Sequence, residues 1–458
     1  PRPAMTADPP SSPDAASVPD RPLRVCVVAE FYPRQHDPVL GIWAHRQAVA
    51  ARDAGAEVEV VVLHRPVPPA ATRRRHMLRT LRTMLAQPAR TTLDGIPVTY
   101  VRFLSPRRSR SYGSWGRWAA RPLRRALRRL HRRFPFDVLH AHNAVPAGDA
   151  LRRIGRPEPV VVSVHGGDVY YTADRHRDGA DAVRATFADA TLVLANSAGT
   201  ADRCDALGAT RTRIVRLGTD LPGADRLEEW RRRRVWTAPI VDDTAVGQRA
   251  QGRWGRGPVV RAATTDHVEP RLVTVGHLVA RKRHADVLRA IRVLRDRHPG
   301  LRYTVVGDGP ERAALAELAA ELAIADRVHW CGQLPHAEAL ETARAADIFV
   351  MPAVDEAFGV AYVEAMAAEM PVVAALGEAG PREIADVGDG IVLVPPADIA
   401  ALADALDGLL ADPARRRELG RAARRTVAGA FTWQRCGDAT VRAYRDVLAT
   451  TTSSADRG

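Results

Sequence analysis

The chain has 458 residues, long enough for two or three compact domains. Its 46% apolar and 26% charged residues are ordinary for a globular protein, and it holds no run of about 18 apolar residues that would span a bilayer. The formal net charge of +14 suggests nucleic acid, but sixteen arginines in two acid-free stretches, residues 73–82 and 107–133, exceed the whole surplus. The remainder is slightly acidic, with no nucleic-acid motif or aromatic-laced basic strand.

In chain order, residues 1–21 are rich in Pro, Ser and Asp, lack the apolar run of a secretory signal, and read as a disordered leader. Apolar runs at 24–29, 58–63, 98–101, 137–140, 160–164 and 191–194 predict strands, separated by helical stretches, one of them beginning at Gly41. Continuous apolar strands alternating with helices indicate a parallel sheet covered on both faces. A second series follows at 271–275, 303–306, 328–330, 348–351, 372–374 and 391–394, with an amphipathic helix over 433–448. The division predicted is an N-terminal domain over 22–222, an inserted linker over 223–270, a C-terminal domain over 271–430, and a terminal helix over 431–450 packing back on the first domain. Two doubly wound sheets in series predict a ligand cleft between the domains, at the C-terminal strand edges. Cys26, Cys204, Cys331 and Cys436 lack metal-ligand spacing and read as reduced thiols of a cytosolic protein.

The sharpest chemical signal is the pair Glu356 and Glu364, eight residues apart, the first on a loop after a strand and the second inside a helix. Gly359 permits close backbone approach, and the helix after it offers unpaired N–H groups to an anion. A carboxylate accepts two hydroxyl hydrogens at once, so Glu356 suits sugar hydroxyls and Glu364 a ribose diol. By spacing alone, an ordinary amphipathic helix with solvated acids fits equally well.

The residues Asp355-Glu356-Ala357-Phe358-Gly359, with Glu364 beyond and Met370-Pro371-Val372 after it, resemble the E-x7-E signature of glycosyltransferase family 4, of the GT-B class. Further segments resemble that family in the same order. They are His140-Ala141-His142, His165-Gly166-Gly167-Asp168, Asn196-Ser197, Leu217-Gly218-Thr219-Asp220, the run from Val273 to Lys282, Gly307-Asp308-Gly309-Pro310 and Gly380-Pro381-Arg382-Glu383. The resemblance implies two Rossmann-like domains facing a central cleft and a retaining transfer of a hexose-type sugar from a nucleotide-diphosphate sugar. It implies that Lys282 neutralises the donor diphosphate as a point charge. His277 and Arg281 join it, with Arg283 standing in where His277 replaces an arginine usual in the family. Gly309, Trp330, Glu356, Phe358, Gly359 and Glu364 complete the donor side, and the loop from Trp330 to Leu334 borders the base. His165 resembles the histidine that faces the reacting sugar, so the catalytic set is His165, Glu356 and Lys282. Gly41, His142 and Asp168 fall on the acceptor side; for Asp168 a turn or capping role is equally consistent, and His140 and His142 also suit a structural role. No Asp-x-Asp follows a strand edge, so no metal and no cofactor is expected.

Residues 31–47 resemble members that build cell-surface polysaccharides, of the teichuronic-acid type. The basic segments 73–85 and 107–134 carry apolar residues at three- or four-residue spacing, Met77, Leu78, Leu81, Met84 and Leu85 in one and Leu123, Leu127, Leu130 and Phe134 in the other, the latter helix starting at Pro122. Such helices suit an anionic membrane. The alternative is that these stripes pack on the first sheet. The expectation is a bacterial, cytoplasmic enzyme, peripheral on the inner face of the membrane, acting on a glycan or lipid-linked acceptor without nucleic acid. Rival readings are a GT-B sugar-nucleotide epimerase and a non-catalytic basic binding protein.

Overall fold

The computed structural model describes residues 21–68, 72, 74–106, 112–175, 177–232 and 270–455. The expected leader up to residue 20, and all of the expected linker beyond residue 232 except residue 270, lie outside these. The chain divides into two units. One runs to Asn196, adds Thr200–Val215 and resumes at Gln434; the other is Ser197–Gly199 with Arg216–Trp433.

The first unit holds an eight-stranded sheet: β1 (Leu23–Ala29), β2 (Ala56–His64), β3 (Arg90–Leu93), β4 (Ile96–Arg102), β5 (Val138–His142), β6 (Val160–Val164), β7 (Leu192–Ala195) and β8 (Thr212–Ile214), in the order β3-β4-β2-β1-β5-β6-β7-β8. Every pairing is parallel except β3 with β4, a hairpin closed by Asp94 and Gly95, both at positive φ. Val25, Val27, Val28, Val138 and Val161 are fully or almost fully buried, as strands covered on both faces require.

The helix Trp115–Arg133 starts well before Pro122, which lies inside it, so the helix start expected at Pro122 is corrected. Its buried face, Trp115, Ala119, Leu123, Leu127 and Leu130, repeats at three- or four-residue spacing and lies in the main core of this unit. That continuous stripe, extending two turns upstream of the proline, carries the helix through it. Arg117, Arg121, Arg125, Arg128, Arg129 and Arg132 stay on the exposed face. The apolar stripe of segment 107–134 is therefore core, whereas in the helix Met77–Leu85 only Met84 is buried.

The helix Trp433–Ala455, from Gln434 onward, belongs with this first unit. The Gln47 amide donates to Thr440 Oγ1 at 3.1 Å, and the Tyr444 hydroxyl lies 2.7 Å from His140 Nδ1.

The second unit is a wholly parallel six-stranded sheet: β9 (Arg271–Val275), β10 (Arg302–Val306), β11 (Val328–Gly332), β12 (Ile348–Met351), β13 (Val372–Ala375) and β14 (Ile391–Val394), ordered β11-β10-β9-β12-β13-β14. That is the 3-2-1-4-5-6 order of a doubly wound Rossmann sheet. The order reverses between β9 and β12, and the first sheet reverses between β1 and β5. Residues 216–222 also group here, where Thr219 bridges Thr432, and residues 224–232 of the expected linker form a helix.

The turn after β10 depends on glycine. Gly307 has φ 137°, and a Cβ there would lie on the carbonyl oxygen of Gly276; one at Gly309 would meet the Leu278 backbone at 2.4 Å. Gly307→Ala is expected to lower stability by at least about 2 kcal/mol. Urea unfolding of the two proteins measures the difference.

Candidate active site

In the second sheet the loops leaving β9 and β12 meet over the point where the strand order reverses, the place where open α/β sheets bind ligands. After β9 the chain turns through the 3₁₀ segment Ala280–Lys282 to Arg283, which is left-handed at φ 57°, and enters the helix His284–Leu294. After β12, Asp355 is also left-handed at φ 54° and Gly359 has φ 81°. The loops are joined by backbone, Val354 N–H donating to the Arg281 carbonyl at 2.8 Å.

Across this junction Lys282 Nζ lies 2.5 Å from Glu356 Oε2, and Arg281 Nη1 reaches the same oxygen at 3.3 Å. Lys282 is 9% exposed and Glu356 8%. Burial alone would push the Glu356 carboxyl up, but Lys282 and Arg281 outweigh it and hold the carboxyl below the usual glutamate range. The backbone of Glu356 is pinned as well: its N–H donates to Glu378 Oε2 at 3.1 Å, and its carbonyl accepts from Gly380 N–H at 2.8 Å. Lys282 and Arg281 place two cationic heads on one oxygen of Glu356, a pairing that an incoming anion could share.

Gly359 starts the helix Val360–Ala367. A Cβ at Gly359 would strike the Tyr362 ring at 2.4 Å, and Tyr362 is held by its hydroxyl donating to the Met351 carbonyl. Glu364 stands on this helix, its Oε1 2.7 Å from His336 Nε2. His277 is exposed just past β9.

Three expectations change. Arg283 is turned away, its Nε donating to Asp286 Oδ2 at 2.6 Å, so the guanidinium beside Glu356 is that of Arg281. The Phe358 ring is 2% exposed and packs on Phe431, leaving only its backbone available to a donor. Trp330 lies within β11, as the strand expected at 328–330 has it, but its ring packs against the core with the Arg312 guanidinium 4.2 Å from its centroid. Gly309, for its part, has a purely steric reason to lack a side chain. Glu378 and His336, which hold the two glutamates, carry no sequence signal of their own; the fold alone brings them into contact.

At the reversal point of the first sheet, β5 ends in His142, and His165 follows β6. His142 Nδ1 and His165 Nε2 are 2.9 Å apart with rings 7° from parallel, while His140 bonds Ser163 through Nε2 at 2.8 Å. Burial depresses all three: His140 and His165 to about 3, and His142 well below its ordinary value. These imidazoles are neutral near pH 7, so His165 offers a hydrogen bond rather than a proton. Gly41, at φ 64°, has Phe31 backbone 2.2 Å from where a Cβ would sit, so its glycine serves close packing at the start of the helix Ile42–Asp53.

Asp168 is 1% exposed and accepts the N–H groups of Ala144 at 3.0 Å and Val145 at 3.2 Å. It therefore closes the turn after β5, the turn or capping role that the sequence equally allowed. Burial raises its carboxyl from 3.8 to about 7, partly offset by those two donors. Between those values the folded chain keeps a proton that the unfolded chain has lost, so this group's contribution to stability falls as pH rises. Unfolding midpoints from about pH 5 to about pH 8 should show wild type losing more stability than Asp168→Asn; equal slopes contradict this.

Two family models match the chain. One described as glycosyl transferases group 1 covers residues 261–426, and one described as glycosyltransferase family 4 covers residues 40–221. A glycogen synthase from Mycobacterium tuberculosis is 34% identical over 38% of this chain, the match spanning 42% of that relative's length. A GDP-mannose-dependent alpha-(1-6)-phosphatidylinositol monomannoside mannosyltransferase from Mycolicibacterium smegmatis is 29% identical over 55% of this chain and 69% of its own. Among solved structures, a sucrose-phosphate synthase from Thermosynechococcus elongatus superposes with a TM-score of 0.68 at 20% identity, covering 93% of this chain and 100% of that one. An Anabaena protein in complex with UDP gives 0.62 at 15%, with the same coverage of both chains. These likenesses, with two doubly wound sheets and an ordered set of motifs on their strand ends, place the chain in the GT-B glycosyltransferases of family 4.

Proposed function

We propose that the chain transfers a sugar from a nucleotide-diphosphate sugar to a hydroxyl of a glycan or lipid-linked acceptor, with retention of anomeric configuration and without a metal. The observation that carries this is the buried Lys282–Glu356 pair, with Arg281, over the reversal point of the second sheet. Departure of a nucleoside diphosphate develops negative charge, and fixed cations at its oxygens lower that barrier. Lys282 and Arg281 take the diphosphate, while Glu356 keeps Lys282 in place and turns its second oxygen toward sugar hydroxyls. Glu364 holds the ribose diol. His165, neutral, bonds a substrate hydroxyl at its own strand edge, and the acceptor proton passes to a phosphate oxygen. Both a mannosyltransferase and a UDP complex stand among the similar proteins, so the donor test spans UDP-, GDP- and ADP-sugars.

Lys282→Ala is expected to lower kcat/KM by about 100-fold or more with the donor that stabilises the fold most. Glu356→Gln should lower it with the fold retained, and wild-type transfer should persist in EDTA. Product analysis by mass spectrometry and NMR reports the linkage. Full activity of Lys282→Ala, or an interconverted donor sugar without acceptor, removes the transferase reading.

The acceptor side suggests a membrane. On the helix Met77–Leu85, Leu78 is 70% and Leu85 45% exposed, flanked by exposed Arg74, Arg75, Arg79 and Arg82. Leucines beside arginines fit an anionic bilayer surface, at about 1 kcal/mol per arginine. Among the described residues no helix is long and apolar enough to cross a membrane. Flotation should find the protein on phosphatidylglycerol vesicles at low salt, and Leu78→Asp with Leu85→Asp should release it; no wild-type binding removes the membrane from the proposal.

A further inference from the structure

The contact between His336 and Glu364 has no part in charge neutralisation at Lys282, yet it joins two distinct pieces of the second unit. Glu364 belongs to the helix after β12. His336 opens the helix His336–Arg344, just past the loop that leaves β11 at the end of the sheet. The Nε2–Oε1 distance is 2.7 Å, and the side chains are 41% and 13% exposed respectively.

We propose that His336 is a positioning residue that fixes the Glu364 carboxylate for the ribose hydroxyls of the donor and couples that grip to the loop after β11; this rests on the proposed role of Glu364. A glutamate has three side-chain torsions, and freezing them on binding costs affinity unless something has frozen them first. One ring N–H occupies one of the four acceptor directions of a carboxylate, so three remain for a pair of hydroxyls. A bidentate arginine would fill both oxygens instead and compete with the ribose. Arg344, on the same helix as His336, acts on Glu364 through its charge, while its Nη1 pairs with Glu341 at 3.5 Å. The histidine thus supplies the directional bond and leaves the carboxylate open. Anchoring at the loop after β11 means that movement of this loop also moves the ribose-holding oxygen.

Calorimetry with UDP, GDP and ADP, their 2′,3′-dideoxy forms and inorganic pyrophosphate tests this on wild type, His336→Ala, His336→Gln, Glu364→Gln and the His336→Ala/Glu364→Gln double variant. His336→Ala should weaken the best ribonucleoside diphosphate about 3- to 10-fold. Pyrophosphate and the dideoxy form should bind it as they bind wild type, which a merely structural defect would not spare. His336→Gln, keeping an N–H donor, should recover most of the loss, and His336→Ala should add nothing in the Glu364→Gln background. Unchanged nucleotide binding by His336→Ala, or equal loss of pyrophosphate, overturns the positioning role. Unchanged ribose discrimination by Glu364→Gln instead shows that Glu364 does not hold the ribose, and the inference falls with that reading.

Discussion

A lysine ammonium with little solvent left must be compensated, and at the reversal point of the second sheet Lys282 is compensated by one carboxylate, Glu356. The surrounding geometry serves this pair. Two non-glycine residues, Arg283 and Asp355, accept left-handed backbone on either side of it, and Val354 ties one loop to the other. Glu378 and Gly380 then hold the Glu356 backbone from the start of the helix after β13. Arg281 reaches the same carboxylate oxygen, so two cationic heads stand together at this strand edge. A buried ion pair between two left-handed turns at a strand edge is an arrangement more common at binding sites than in a packed core.

The first sheet arranges its reversal point differently. There burial suppresses charge: three imidazoles lose their protons, and the Asp168 carboxyl is raised to about 7. An edge that carries little charge can bond a hydroxyl without attracting the diphosphate, so the two sheets offer two chemically distinct edges. Tyr444 extends this neutral network into the last helix, which explains why that helix belongs with the first unit despite its place in sequence.

Much of the fold was legible because strands buried on both faces must be mostly apolar, as residues 25–29 and 272–275 are. The strands missed are those that escape this requirement. In β3 burial alternates between exposed and partly buried, and the readable signal was the Asp94-Gly95 turn; β8 is three residues long and polar. Pro122 was read by its local preference, but a stripe from Trp115 to Leu130 outweighed it. Within the site, the glutamates and Lys282 could be read from motif order, whereas the choice between Arg281 and Arg283 hangs on one left-handed residue that spacing does not reveal. Phe358 lies inside the signature yet serves the core, its buried ring packed on Phe431.

The central claim is that a diphosphate settles on Lys282 and Arg281 while Glu364 takes the ribose. A crystal structure with bound nucleoside diphosphate sugar tests it most directly. Phosphate oxygens should lie within hydrogen-bond distance of Lys282 Nζ, with Glu356 against the sugar and Glu364 against the ribose hydroxyls. A donor bound elsewhere, with the Lys282–Glu356 pair untouched, would contradict it.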